Sequence, residues 1–265
     1  MPEDKNLAIA LPGEWALQKV FGPVLSEVGE DIKKVYAKGR DKLIATAYRK
    51  IDDAEDGKQA NRRVARDVMW NGAFTDEPVC AEYFGGLLAA SRSIDGKDDG
   101  AIQFVNVVKS LSSRQLRLHY IVYHCLNRQL AAESEPINVG QSSELNNKSL
   151  WLASRELTDR LDLHIETDLN ILHRQGLLIE YKSDFHYLES ITTLPYTMIK
   201  PTVFGILLYS AAHNKLNDWR QFSSAGFGDF PGIDLPVLFA PSLEALTLMV
   251  RPDLSISNEA ANNEI

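Results

Sequence analysis

The sequence has few of the features that would place it in a specialised class. Its 265 residues include only two cysteines, Cys80 and Cys125, and no C-x-x-C motif. A secreted scaffold held together by disulfides, or a cysteine-based zinc site, needs more thiols. Glycine (16) and proline (11) are too few for a collagen-like or low-complexity chain. Because isolated thiols are typical of the reducing cytosol, we expect a cytoplasmic protein.

Long apolar runs and a basic leader are also missing. The first ten residues contain one Lys and two acidic side chains, unlike the start of a signal peptide. The longest apolar run near the middle, 203–212, is about half of the ~20 residues that span a bilayer. We therefore expect neither a signal peptide nor a transmembrane segment.

The overall composition is that of an ordinary globular protein. Hydrophobic residues make up 45% of the chain and charged residues 24%, with a formal net charge of -8. This apolar fraction is too high for a wholly disordered chain. At ~150 residues per domain, the length indicates one or two domains.

Helical periodicity dominates the first half of the sequence. From Leu25 to Leu43 the apolar residues recur at steps of three and four, which predicts a long helix beginning near Pro23. Ser112-Ser-Arg-Gln115 has the spacing of a capping box, which predicts the start of another long helix. The further predicted helices cover 62–74, begin at Pro78, and cover 101–110.

The pattern changes after a polar stretch at 131–149. Helices are then followed by short apolar strands, with Gly176 at a helix end and a turn at Ser183-Asp184. This order is typical of a winged-helix module. The predicted elements are helices over 150–163 and 166–175, strands over 177–182, 186–191 and 196–200, and a helix starting at Pro201.

The expected fold is mainly α, with an N-terminal helical domain followed by a small winged-helix-like α+β domain. The predicted divisions are a helical domain (1–130), a polar linker (131–149), a winged-helix-like domain (150–220) and an irregular C-terminal extension (221–265).

Catalytic spacings are weak. His119 and His124 are five residues apart, which does not fit the H-E-x-x-H spacing, so they are interpreted as packing or surface residues. In the acidic loop 95–100, Lys97 stands where a calcium ligand would be needed. The sequence therefore predicts no catalytic residue, no metal and no cofactor, and a protein that is not an enzyme.

Charge is unevenly distributed along the chain. Residues 31–66 contain eleven Lys and Arg against six acidic residues, a local charge of +5. Such a face suits an anionic partner, whether nucleic acid, an acidic protein or a membrane surface. The candidate contacts are Lys33, Lys34, Lys38, Arg40, Lys42, Arg49, Lys50, Arg62, Arg63 and Arg66.

The winged-helix-like module has the opposite charge. Residues 151–201 contain five basic and eight acidic side chains, a sum of -3. Glu166 and Asp168 begin the presumed recognition helix, where they would repel phosphates. Nucleic-acid binding is therefore disfavoured in this module and stays open on the basic N-terminal helices.

Several segments, in order, resemble a known family. They are Phe21–Glu30, Glu82–Ala90, Lys109–Leu116, Asp168–Leu178 and the helix at 202–212. Together they are similar to the Abi-alpha family of bacterial abortive-infection proteins. The resemblance implies phage defence, in which an infected bacterium arrests or dies, and it supplies no catalytic residues.

Three functional hypotheses follow. The first is a non-enzymatic phage-defence protein that acts through protein contacts, with a partner protein or by self-association. The second is a nucleic-acid-binding regulator that uses the basic face at 33–66. The third is a defence effector that perturbs membranes through its amphipathic N-terminal helices.

Overall fold

The structure is a computed structural model that describes residues 25–188 and 192–251, with side chains described from Lys34 onward. The described chain is about 52% helical and 13% strand. The prediction of a mainly α protein with small sheets is confirmed at this level.

From Leu25 onward, the described part of the N-terminal half contains five helices and a two-stranded ribbon. Each predicted helix is present, with ends that differ from the predicted ones by a few residues. The elements are α1 (Leu25–Arg49), β1 (Gln59–Ala60), α2 (Arg62–Gly72), α3 (Pro78–Ala90), β2 (Arg92–Ser93), α4 (Ile102–Val108) and α5 (Ser113–Ala131), with β1 and β2 antiparallel.

Local sequence signals explain where these helices begin. The Asn61 side chain accepts the N–H groups of Arg63 and Val64 at the start of α2. The capping box predicted at the start of α5 is confirmed, since Ser112 and Gln115 each bond the other's backbone N–H. Pro78 occupies the first turn of α3, where its missing N–H has no cost.

Helix α3 lies at the centre of the helical half. Its residues 79–89 are all buried, because it packs against α1, α2 and a C-terminal helix at once. Gly86 permits a close approach of α3 to the backbone at Ala212, since a β-carbon on Gly86 would lie 1.9 Å from the carbonyl oxygen of Ala212. A second close contact joins α1 to the end of α2, where a β-carbon on Gly39 would overlap the Ala73 carbonyl.

The C-terminal half combines helices with one antiparallel sheet whose strand order is β4-β5-β3-β6. Its elements are α6 (Ser142–Leu145), β3 (Leu150–Ala153), a π-helical turn (Glu156–Arg160), α7 (Ile165–Arg174), β4 (Leu178–Tyr187), β5 (Thr193–Pro201), α8 (Val203–Ala212), a 3-10 helix (Leu216–Gln221), β6 (Phe239–Ala240) and α9 (Leu243–Val250).

The helix predicted over 150–163 is wrong in its first part, which forms β3. This strand pairs with β5 on one side and β6 on the other, and Leu150 and Leu152 are both buried. A short apolar run does not distinguish a buried strand from a buried helix by periodicity.

The turn predicted at Ser183-Asp184 is also wrong, because β4 continues through both residues to Tyr187. Ser183 pairs with Thr197 of β5, and their hydroxyl groups lie 3.3 Å apart. The chain reverses instead between Leu188 and Thr192, where the Leu188 N–H donates to the Thr192 carbonyl.

The predicted linker and C-terminal extension both contain regular structure. Segment 131–149 includes α6 and buries Val139 and Leu145. The extension, expected to be irregular, includes β6 and α9; its residues 252–265 lie outside the described chain. One hydrophobic cluster contains residues from both sides of segment 131–149. The division into domains stays a prediction.

Candidate functional site

The predicted basic face begins on α1. The side chain of Lys33 lies outside the described part, while Lys34 and Lys38 are exposed. Most of the remaining basic residues are bound to a nearby acceptor within the chain. The pairs outside the α1 end are Arg40–Asp41 (2.8 Å), Lys42–Asp76 carbonyl (2.8 Å), Arg63–Asp99 (3.5 Å) and Arg66–Asp67 (2.8 Å).

Two of the ten predicted contact residues, at the end of α1, bond to an acidic side chain within the chain. Arg49 and Lys50 both bind the carboxylate of Glu82, a side chain of α3 that is only 7% exposed. The Lys50 ammonium lies 2.8 Å from the Glu82 Oε2 and donates to the carbonyl of Ala212 at 2.6 Å. The Lys50 side chain is only 10% exposed and bonds inside the fold, while its predicted contact with an external partner stays a prediction.

Burial sets the charge state of Lys50. Desolvation lowers the pKa of its ammonium to about 8, although the Glu82 carboxylate acts in the opposite direction. The ammonium also lies 4.2 Å from the centre of the Phe230 ring, a cation–π contact. Lys50 thus links α1, α3 and the end of α8, which gives it a structural role.

The solvent-facing side of α2 brings basic and aromatic side chains together. Arg62, Arg66, Trp70 and Phe74 are spaced by four residues, and all four are exposed. Residues at this spacing lie along one side of a helix. The stripe continues past the end of α2 at Gly72 to Phe74. We call these four residues the α2 stripe.

The aromatic end of the α2 stripe is held in place by its neighbours. The Phe74 ring lies 5.9 Å from Trp70 in an edge-on arrangement and 5.6 Å from Tyr36 of α1. The close approach at Gly39 and the bond from Lys42 to the Asp76 carbonyl fix α1 against this segment. Trp70 and Phe74 nevertheless stay 49% and 46% exposed.

Sequence reasoning selected the two arginines of the stripe and missed its two aromatic residues. The sequence predicts the helix over 62–74, and in the structure Val64 and Val68 lie on its buried face. The four-residue spacing that carries Arg62 to Arg66 continues to Trp70 and Phe74. That repeat is the signal that identifies the stripe.

The histidines of α5 lie in the core together with a third histidine. His119, His124 and His213 are surrounded by aromatic rings, including Tyr120 and Tyr209. Desolvation lowers the pKa of His119 and of His213 to about 3 and lowers that of His124 as well. These imidazoles are therefore neutral, and they pack in the core.

The two thiols are also buried. Cys80 and Cys125 are both free and buried, and burial raises the pKa of each thiol. Over residues 25–188 and 192–251, no cluster of three or more His, Cys, Asp or Glu is placed to hold a metal ion.

At the start of α7, only one of the two acidic side chains that the sequence singles out is exposed. Asp168 is fully buried and binds the Arg114 guanidinium through two bonds, of 2.6 and 3.2 Å. Its charge is therefore neutralised inside the fold and does not face a partner. Glu166 is exposed, so the acidic character of this helix start depends on Glu166.

Comparison with known proteins found no match among family models, curated proteins or solved structures. Within the described chain, no helix is both long and apolar enough to cross a membrane.

Proposed function

We propose that this chain is a bacterial phage-defence protein that acts without catalysis, in the cytoplasm, by binding a partner protein through the α2 stripe. The defence role rests on the resemblance of five segments to the Abi-alpha family. The mode of action rests on the surface of α2.

The α2 stripe is the observation that carries this proposal. Tryptophan and arginine are among the residues that contribute most to protein interfaces. Trp70 and Phe74 present adjoining apolar rings to solvent, and Phe74 is held in position by its ring contacts with Tyr36 and with Trp70. Because this surface is ordered before binding, little conformational entropy is lost when a partner covers it.

The charges of the stripe indicate the chemistry of the partner. Arg62 has no ionic or hydrogen-bond partner among the residues described, and Arg66 binds only the neighbouring Asp67. We infer a partner surface with an apolar pocket for Trp70 and a carboxylate near Arg62.

The C-terminal half supports a winged-helix assignment that also favours protein contacts. The chain order is α5, the short helix α6, β3, a π-helical turn, α7, β4 and β5, and β5 lies between β3 and β4. This is the order expected for a winged helix. The exposed Glu166 near the start of α7 would repel nucleic-acid phosphates.

The test is affinity capture from phage-infected cells with the wild-type chain and two variants, Trp70→Ser and Phe74→Ser. We expect both variants to lose the captured protein, because each removes an apolar ring from the contact. Tyr48→Ser is the matched control, since Tyr48 is a 66% exposed aromatic residue of α1 outside the stripe. Equal capture by all four chains would contradict the proposal.

Nucleic acid is the second candidate partner, since Lys38 and Arg62 are exposed cations with no partner in the described part of the chain. Binding of this kind falls steeply as salt rises, in proportion to the phosphates contacted. Nuclease treatment before capture separates the two candidates. Recovery that is lost with nuclease and with Arg62→Ala, and kept with Trp70→Ser, would favour nucleic acid.

A further inference from the structure

Strand β4 leaves one edge of the four-stranded sheet open. It pairs with β5 on one side and has no strand on the other side among the described residues. Seven of its ten residues are exposed, including the large side chains Ile179, Phe185 and Tyr187 at 46%, 62% and 74%. A long sheet edge with unpaired backbone N–H and C=O groups is a template for pairing with another strand unless something covers it.

The backbone groups at this edge can be assigned. The Phe185 N–H donates to the neighbouring Asp184 carboxylate, whereas the Leu188 N–H bonds across the hairpin to Thr192. Backbone groups point to alternate sides along a strand. The N–H and C=O groups of Tyr181, Ser183 and Phe185 therefore face the open edge.

Strand β4 is complementary to itself in one antiparallel register. When Ser183 lies opposite Ser183 of a second copy, a residue that precedes Ser183 in one strand pairs with the residue that follows Ser183 by the same number of positions in the other strand. Lys182 then faces Asp184 twice, and Glu180 faces His186 twice. On the other side of the sheet Tyr181 faces Phe185 twice.

The two adjacent antiparallel registers, centred on Lys182 and on Asp184, are unfavourable. A register centred on Lys182 places Lys182 opposite itself and Glu180 opposite Asp184. A register centred on Asp184 places two aspartates together. Like charges directly opposite in a sheet are destabilising, so charge favours the Ser183 register over the registers centred on Lys182 and on Asp184.

We propose that a second copy of this chain binds the open edge of β4, in the antiparallel register centred on Ser183, to form a two-fold dimer with one continuous sheet. Within each strand, Lys182 and Asp184 form an ion pair of 2.8 Å whose side chains are about half exposed. In the dimer, the two ion pairs within the strands are replaced by two ion pairs between Lys182 of one strand and Asp184 of the other. The dimer satisfies the open backbone groups and covers Phe185 and Tyr187. This surface is separate from the α2 stripe, so the proposal does not depend on it.

The first test is sedimentation of the full chain over a range of concentrations. We expect a monomer–dimer equilibrium for the wild type. Lys182→Asp and Asp184→Lys each place like charges together twice per dimer, which should weaken dimerisation roughly tenfold or more. A wild type that stays monomeric at every concentration would overturn the proposal, even if its β4 edge binds an unrelated protein.

Mixing the two variants separates contacts between chains from contacts within one chain. Each variant lacks the internal Lys182–Asp184 pair, yet a mixed dimer restores both pairs between the chains. We therefore expect the mixture to dimerise more tightly than either variant alone. Absence of this rescue, in variants whose circular dichroism matches the wild type, would refute pairing in this register.

A cysteine placed on the two-fold axis tests the register directly. Opposed residues of this kind have Cα atoms ~5.5 Å apart, within the range that a disulfide spans. We expect Ser183→Cys to form a disulfide-linked dimer under a mild oxidant. Ile179→Cys, also exposed on β4 but four residues away from the two-fold axis, should not crosslink. Equal crosslinking of both variants would contradict the Ser183 register.

Discussion

Lys50 and Glu82 show how much of this fold depends on single buried side chains. The ammonium of Lys50 reaches Glu82 on α3 and the carbonyl of Ala212 at the end of α8, while its own carbonyl accepts from Asn214. A cation near the last carbonyls of a helix is also favourable for the helix dipole. These bonds connect three helices that are distant in sequence.

We expect Glu82→Gln to destabilise the protein by about 3 kcal/mol, because the variant leaves the buried Lys50 ammonium without a counter-charge. Urea unfolding measures the change. Asp41→Asn is the matched control, since it breaks an ion pair with Arg40 in which the Asp41 side chain is 66% exposed. Such surface pairs contribute about 0–1 kcal/mol. Equal losses in the two variants would show that the Glu82 site is not a buried junction.

The buried histidines predict loss of stability in acid. The pKa of His119 and of His213 falls from 6.5 when unfolded to about 3 when folded. Below pH 6.5 the unfolded chain therefore binds protons that the folded chain does not, and the free energy of unfolding decreases. Above pH 6.5 this contribution to stability is fully present. For two histidines the loss between pH 6.5 and pH 5 is roughly 3 kcal/mol.

Urea unfolding at these two pH values checks the assignment. We expect His119→Gln to remove about half of the histidine contribution to the acid-induced loss. His164→Gln is the control, since His164 is exposed. An unchanged loss in His119→Gln would mean that His119 is not held neutral in the core.

At the scale of elements, close helix packing depends on Gly86. A β-carbon there would lie 1.9 Å from the Ala212 carbonyl oxygen and 2.3 Å from its carbon, so α3 and α8 would have to separate. We expect Gly86→Ala to cost more than about 3 kcal/mol in thermal or urea unfolding. Gly226→Ala should change stability by no more than about 0.5 kcal/mol, since a β-carbon at Gly226 would meet open space. Similar stabilities would argue against the α3–α8 contact.

The sequence was most informative where local chemistry decides the structure. The capping box at Ser112 and the glycine at 176, which has a positive φ of 71°, both mark helix ends that the structure contains. The sequence was least informative where pairing with strands distant in the chain decides the secondary structure. Leu150 and Ala153 fit a helix together with Leu157 and Leu161 by spacing, yet Leu150–Ala153 form a strand because β5 and β6 bond to its two sides.

At the scale of the whole molecule, charge alone gave only part of the candidate site. The net charge of -8 conceals the basic segment at 31–66, which led to Arg62 and Arg66. It did not indicate that Lys50 turns inward, because that depends on Glu82 of a different helix. It also did not point to Trp70 and Phe74, since exposure of an aromatic residue is decided by the packing of α2.

The most direct test of a defence role for the α2 stripe is the efficiency of phage plating on bacteria that express the wild type, Trp70→Ser or Tyr48→Ser. We predict that Trp70→Ser loses protection by roughly tenfold or more, as expected for a lost interface contact of over ~1.4 kcal/mol. Tyr48→Ser should protect as the wild type does. Full protection by a folded, normally expressed Trp70→Ser variant would contradict the claim that this protein acts through the α2 stripe.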